Sequence, residues 1–254
     1  MDEPLRVLDL FSGIGGFSLG LERTGGFKTV AFCEIDPFCR RVLAKHWPGV
    51  PNLGDITKAD FDAADVITAG FPCQDLSYAG NGSGLAGARS GLFWEAMRAI
   101  RVVRPIYVLL ENVAALLDRG MGVVVGALAS SRYDAEWDCI PAAAVGAPQR
   151  RDRVFIVAYP DRKGPSGEPQ RDIFSQARLT PPRRRHVDGL DLADDGPWAS
   201  RPDVLRVDYG LPGVVDRLGA LGNAVVPQIP ELIGRSILTA RSSQTLQQQE
   251  AERG

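Results

Sequence analysis

The sequence predicts an α/β domain in which a mainly parallel β-sheet is flanked by helices. Up to residue 160, short apolar runs alternate with segments that have the spacing of helices. Polar and reactive residues follow the ends of several runs, which is where ligands bind in open parallel sheets. The 254 residues, 44% of them hydrophobic, suffice for one domain with a small appendage.

The predicted strands are apolar runs over residues 5–11, 30–33, 65–69, 106–110 and 154–158. A helix is predicted from Pro37 towards His46, because proline fits a first helical turn. Further helices are predicted from apolar spacing over residues 91–103, 123–128 and 230–241.

Composition changes after residue 160, where Pro, Gly, Asp and Arg replace apolar periodicity. The predicted organisation therefore has four parts. They are a main unit over 1–159, a small irregular segment over 160–208, a part over 209–241 that returns to the main unit, and a flexible polar tail over 242–254.

Charge and cysteine content exclude several classes of protein. The net charge of -2 does not by itself indicate a nucleic-acid partner, although arginines cluster at 150–153 and 183–185. No apolar run is long enough to span a membrane, and no secretory signal is evident, so a cytoplasmic protein is expected. Four cysteines without a C-x-x-C pair, with only two histidines, predict neither a metal site nor a disulfide scaffold.

A glycine-rich turn, residues 11–16, joins the first predicted strand to a helical segment. Glycines at such a turn let a ligand approach the backbone closely. Ser18 stands where a dinucleotide-binding pattern requires glycine, and no P-loop lysine follows. The turn therefore favours a nucleoside-type ligand without a pyrophosphate, and Glu34, after the next strand, is placed to bind ribose hydroxyls.

Cys73 ends the third predicted strand and opens a segment, residues 74–91, that is rich in Gly, Ser and Ala. A thiolate is a strong nucleophile, although an unperturbed thiol with a pKa of ~8.5 supplies little of it at neutral pH. The alternative is a small buried apolar residue, which is the better interpretation of Cys33 and Cys139.

Glu111 and Asn112 follow the fourth strand, and Arg151 and Arg153 precede the last one. A desolvated carboxyl in a cleft can act as a general acid, whereas at a surface it would only cap a helix. The two arginines would share one face of an extended segment, where they could hold a phosphate and a base carbonyl, or remain solvated charges.

Taken together, these residues resemble the DNA (cytosine-5)-methyltransferase family of the bacterial and phage type. The matching blocks occur in the family's order: Asp9–Gly16 (DLFSGIGG), Glu34–Pro37 (EIDP), Gly54–Ile56 (GDI), Gly70–Gln74 (GFPCQ), Glu111–Val113 (ENV), Gln149–Arg153 (QRRDR) and Gly222–Pro227 (GNAVVP). The resemblance implies a Rossmann-like fold that uses S-adenosylmethionine, leaves S-adenosylhomocysteine and needs no metal.

The resemblance also implies a role for each matched residue. The donor would be held by Phe11, Gly13, Ile14, Gly15, Gly16, Glu34, Ile35, Asp55, Ile56, Asn223 and Val225. Phe11 would pack on the adenine, Glu34 would bind the ribose and Asp55 the adenine edge. The catalytic set would be Cys73, Glu111, Asn112, Arg151 and Arg153, with Cys73 as the nucleophile, Glu111 at ring nitrogen 3 and Arg153 at the base carbonyl.

The implied substrate is double-stranded DNA whose target cytosine is flipped out of the helix. The segment 74–91 could close over that base, with Arg89 reaching a phosphate. Residues 1–159 would then be the catalytic and cofactor-binding unit, and 160–208 a reduced target-recognition segment. A cognate restriction endonuclease would be a functional companion, and no stable protein partner or membrane is implied.

The chain departs from the family pattern in two places. Its recognition segment is short, which leaves sequence selectivity open, and Leu76 replaces the commoner aromatic residue after the cysteine. Two other functions remain alternatives: a cytosine-5 methyltransferase of RNA such as tRNA, and a catalytically idle DNA-binding regulator on the same scaffold.

Overall fold

A computed structural model describes residues 3–72, 91–147, 151–161, 173–176, 184–187, 190–193 and 222–251. Six strands of this part of the chain form one sheet: β1 Leu5–Leu10, β2 Phe27–Cys33, β3 Val66–Gly70, β4 Tyr107–Val113, β5 Tyr133–Pro141 and β6 Asp152–Pro160. The helices are α1 Gly16–Glu22, α2 Pro37–His46, α3 Gly91–Val103, α4 Leu116–Arg119, α5 Met121–Ser130, α6 Ile173–Gln176 and α7 Gln228–Ala251.

The strand order in the sheet is β2-β1-β3-β4-β6-β5. The neighbours from β2 to β4 run parallel, whereas β6 is antiparallel to both β4 and β5. The predicted α/β fold is confirmed, and its sheet is mixed. Because the four parallel strands end at one edge, Phe11, Glu34, Gly70 and Glu111 lie along that edge.

Two apolar cores cover the two faces of this sheet. One contains α3 and α5 side chains such as Phe93, Ile100 and Leu128. The other contains side chains of α1 and α7 such as Leu21 and Ile233. Burial of each such side chain stabilises the fold by about 1.5–3 kcal/mol. The packed cores hold the sheet in place, and with it the edge that carries the polar residues.

Strand β5 is absent from the sequence prediction. It is an edge strand, and the exposed positions along it include Asp134, Trp137 and Asp138, so its residues show no regular alternation. Its neighbour β6 is almost wholly buried, and the sequence reveals it as a continuous apolar run.

Helix α7 extends to Ala251, beyond the predicted end at 241 and into the predicted tail. Ser242 and Ser243 donate their hydroxyls to the carbonyls four residues earlier, at 3.0 and 3.1 Å. Within the segment 160–208, strands β7 Arg184–Val187 and β8 Leu190–Ala193 pair antiparallel. None of the helices in the described ranges combines the length and apolarity that crossing a bilayer requires.

Candidate active site

The turn after β1 is shaped by packing as well as by its glycines. Phe11 has a left-handed φ of 52° and donates its N–H to the carbonyl of Cys33 at 2.8 Å, which ties the end of β1 to β2. A side chain at Gly15 would meet the ring of Trp47, and one at Gly16 would meet the carbonyl of Val225. Both glycines therefore permit close packing, a constraint that the sequence prediction did not include.

Glu34 lies directly against this turn. Its Oε2 accepts the N–H of Gly13 at 2.7 Å, and its Oε1 accepts the N–H of Asp36 at 2.7 Å. The next residue, Ile35, is 66% exposed, unusually open for a large apolar side chain. The Glu34 carboxylate, held by two backbone N–H groups, is thus next in sequence to the solvent-exposed apolar side chain of Ile35.

Asn52 is a site residue that the sequence analysis missed. Its Oδ1 accepts the N–H groups of Glu34 and Gly54, at 3.1 and 2.9 Å, so one amide oxygen fixes the spacing of two predicted donor-binding blocks. Its Nδ2 is buried, with no hydrogen-bond partner among the described residues. Its only signal in the sequence is its place just before the Gly54–Ile56 block.

Asp55 follows this connection and is half-buried. Its Oδ1 accepts both the N–H and the hydroxyl of Thr57, at 3.0 and 2.8 Å, and these bonds lower the pKa of the carboxyl. Asp55 therefore stays ionised as a hydrogen-bond acceptor. Ile56 is buried in the core beneath it.

Glu111 is a buried carboxyl near the edge where the parallel strands end. It is 7% exposed, and it pairs in register with Gly70 of β3. Its Oε1 lies 2.9 Å from Nε of Arg153, which is opposite Val113 on β6. Burial raises the pKa of Glu111, and the charges of Arg153 and Arg151 oppose that rise without cancelling it. Glu111 is thus biased towards its protonated form.

Asn112 links β4 to the segment that follows β3. It is buried, and its Nδ2 donates to the carbonyl of Phe71 at 3.1 Å. Phe71 is two residues before Cys73, so this bond fixes the backbone that leads to the predicted nucleophile. Cys73 itself and residues 74–90, including Leu76 and Arg89, lie outside the described residues.

Arg151 connects the catalytic end to the block 222–227. Its Nη1 donates to the carbonyl of Ala224 at 2.6 Å. The adjacent Val225 packs against Gly16, and its side chain also lies near Gly70. Asn223 is exposed. Val225 therefore lies near both the glycine turn after β1 and the end of β3.

Asp9 is a second residue that the sequence analysis did not single out, although it begins the first matched block. It is fully buried, and it accepts the hydroxyl of Thr68 at 2.6 Å and that of Ser18 at 2.7 Å. Burial raises the pKa of Asp9 to about 7 despite these bonds. The carboxyl joins β1, β3 and α1 beneath the glycine turn.

This pKa makes folding stability depend on pH in a defined direction. The folded protein holds the Asp9 proton up to about pH 7, whereas the unfolded chain loses it near 3.8. The contribution of Asp9 to the free energy of unfolding is therefore fully present below pH 3.8 and is lost as the pH rises to about 7.

Urea titrations between pH 4 and 8 should detect this loss as the difference between the wild type and Asp9→Asn. The wild type should lose stability relative to the variant as the pH rises. Asp134→Asn, on the exposed edge strand, is the matched control and should parallel the wild type. Parallel curves for Asp9→Asn as well would show that Asp9 does not titrate as described.

Known proteins are similar to this chain over most of its length. The family model described as C-5 cytosine-specific DNA methylase matches residues 5–185. The chain is 39% identical to the type II methyltransferase M2.BsuMI of Bacillus subtilis over 186 residues, 70% of this chain and 46% of that protein. It is 36% identical to the type II methyltransferase M.DsaV of Dactylococcopsis salina over 167 residues, 63% of this chain and 47% of that protein.

Among solved structures, the Dnmt2 methyltransferase of S. pombe is similar, with a TM-score of 0.54 and 25% identity. The match covers 63% of this chain and 52% of that one. The chain spans about half the length of the curated relatives it matches.

Proposed function

The chain belongs to the C-5 cytosine-specific DNA methylase family, and on that premise we propose that it transfers a methyl group from S-adenosylmethionine to carbon 5 of cytosine in double-stranded DNA. The observation that carries the proposal is the buried Glu111 beside Arg153, at the strand end next to the one that leads to Cys73. A buried carboxyl whose pKa is raised, with a guanidinium beside it, suits the polar edge of a cytosine ring.

The part of the sheet edge around the glycine turn, Glu34 and Asp55 fits the proposed donor. Phe11 and the exposed Ile35 offer apolar surface for a flat base, and the carboxylates of Glu34 and Asp55 offer acceptors for hydroxyl and amino groups. The rest of the proposed set is Gly13, Ile14, Gly15, Gly16, Ile56, Asn223 and Val225. When bound, S-adenosylmethionine supplies a methyl group on a sulfonium sulfur and leaves as S-adenosylhomocysteine.

Glu34→Ala tests this pocket. Removing a charged acceptor should weaken donor binding by about tenfold or more, because such hydrogen bonds are the stronger ones. The rate at saturating donor should change much less. Calorimetric titration with S-adenosylhomocysteine measures the first effect and saturation kinetics the second. Asp134→Ala is the control, and an unchanged dissociation constant in Glu34→Ala would refute the assignment.

The chemistry assigns a separate task to each catalytic residue. The Cys73 thiolate adds to carbon 6 of cytosine, and the displaced ring electrons make carbon 5 nucleophilic. Glu111 donates its proton to nitrogen 3, which neutralises the charge that develops on the ring. After methyl transfer, a base removes the carbon 5 proton, and the thiolate leaves as the ring double bond re-forms. Nitrogen 3 then returns its proton to the Glu111 carboxylate.

The arginines and Asn112 support these steps. Arg153 lies beside Glu111 and would contact the base carbonyl. Arg151 holds Ala224 and thereby the block that carries Val225. Asn112 holds the carbonyl of Phe71, two residues before Cys73.

The target base must leave the DNA stack to reach this edge, at a cost of a few kcal/mol. We assign base closure to residues 74–91 and target recognition to the reduced segment 160–208, which includes the paired strands β7 and β8. The sequence of β7 includes Arg184 and Arg185, residue types that commonly contact phosphate. Residues 1–159 and 209–241 form the catalytic and donor-binding part.

An assay with tritiated donor on duplex DNA, and separately on tRNA, tests the substrate. Label in DNA is the expected result. Label confined to tRNA would favour the RNA alternative, and tight DNA binding without label in either would favour the idle regulator. The retained set of Glu111, Arg153 and Cys73 argues against the regulator, because binding alone needs no nucleophile.

A further inference from the structure

Arg98 of α3 holds the turn that contains Asp55 and Ile56. Its Nη2 donates to the carbonyl of Ile56 at 2.6 Å, and both Nη atoms lie 3.3 Å from the carbonyl of Ala59. Its Nε donates to Glu95 at 2.6 Å, and its guanidinium carbon lies 4.9 Å from the ring centroid of Phe61. One side chain thus fixes both ends of a short turn that is far away in sequence.

The fork of a guanidinium is what this arrangement requires. The guanidinium of Arg98 contacts four groups at once: the carbonyls of Ile56 and Ala59, the carboxylate of Glu95 and the ring of Phe61. A lysine has a single charged nitrogen and cannot reproduce the planar, multidentate geometry. Because Ile56 is next to Asp55 in the same turn, a shift of the Ile56 carbonyl is expected to displace the backbone that carries the Asp55 carboxylate.

Helix α3 also reaches the catalytic side. The ring centroid of Phe93 lies 5.2 Å from that of Phe71, whose carbonyl is held by Asn112. The helix begins at Gly91, directly after the segment that follows Cys73. Arg98 therefore connects helix α3 to the Asp55 turn, and Phe93 connects the same helix to Phe71, which directly follows β3.

We propose that Arg98 is a positioning residue that holds the Asp55–Ala59 turn in register with the donor and thereby sets the preference for an adenine base. The inference rests on the proposed function, since it assumes that Asp55 accepts from the adenine amino group. Arg98 does not touch the donor, and its effect reaches the base through two backbone carbonyls.

The test compares two donor products that differ only in the base. S-adenosylhomocysteine carries a 6-amino group, whereas S-inosylhomocysteine carries a 6-oxo group that the Asp55 carboxylate would repel. Titration calorimetry should show that the wild type prefers the adenine compound by about tenfold or more, because a mismatched acceptor leaves a polar group unpaired.

In Arg98→Met, affinity for the adenine compound should fall by about tenfold, and the preference between the two compounds should largely disappear. Arg98→Lys, which keeps charge and stem, should retain an intermediate preference. Arg101→Met is the control: Arg101 is on the same helix and its Nε reaches only Ser131 in the described structure, at 3.3 Å. It should keep the wild-type ratio.

The ratio separates positioning from mere stability. A variant that was only less stable would melt earlier but would keep its preference in the folded fraction. An unchanged ratio in Arg98→Met, or in Arg98→Lys if the first variant does not fold, would overturn the inference alone. A wild type that bound neither compound would overturn it together with the proposed function.

Discussion

Replacing Cys73 with alanine should lower methyl transfer by about 10⁴-fold or more while donor affinity stays nearly constant. Without the thiolate, carbon 5 of cytosine is too weak a nucleophile to attack a sulfonium methyl group. The proposed donor-binding residues lie in segments other than the one that carries Cys73, so S-adenosylhomocysteine should still bind. Single-turnover transfer of tritium to duplex DNA measures the loss, and calorimetry measures the retained affinity.

Cys139→Ala is the matched control for this substitution. Cys139 is a half-buried thiol on the edge strand β5, which β6 separates from the strand of Glu111, and its loss should leave turnover intact. DNA that contains 5-fluorocytosine should form a covalent complex with the wild type and with Cys139→Ala, but not with Cys73→Ala. Substantial turnover by Cys73→Ala would rule out the covalent route.

Glu111→Gln should produce the second largest loss, about 100- to 10,000-fold in the methyl-transfer step. The amide has nearly the same shape and keeps the site filled, but it cannot deliver a proton to nitrogen 3. Binding of DNA and donor should change little, because the partner Arg153 remains and the backbone of β4 is held by its neighbours.

The dependence of the methyl-transfer rate on pH tests whether Glu111 donates the proton to nitrogen 3. Burial raises the pKa of Glu111, so the carboxyl keeps its proton to a higher pH than an exposed glutamate and loses it as the pH rises further. The wild-type rate should include a limb that falls with rising pH, and Glu111→Gln should lack it. Glu231→Gln on α7 is the control. Equal rates for wild type and Glu111→Gln would exclude proton donation.

Local sequence features were sufficient to predict most of the fold. Helix α3 has the predicted bounds of 91–103, because its apolar residues repeat at helical spacing and glycine precedes them. Strand β5 was missed because an edge strand needs no regular apolar face. The end of α7 was placed too early because its last turns are polar and lack a packing pattern.

The candidate site was less predictable, because its supporting contacts join distant residues. The closeness of Glu111 and Arg153 depends on the antiparallel register of β4 and β6, which no local pattern encodes. Asn52 and Arg98 act through backbone groups 18 and 42 positions away. Gly15 and Gly16 were predicted from a motif, whereas their packing against Trp47 and Val225 is visible only in three dimensions.

The contact of Val225 with Gly16 has a consequence for protein synthesis. A ribosome releases residue 16 long before residue 225, so a growing chain that already carries the glycine turn and strand β3 still lacks the residue that lies near both Gly16 and Gly70. Native closure of this gap must wait until translation has passed the block at 222–227.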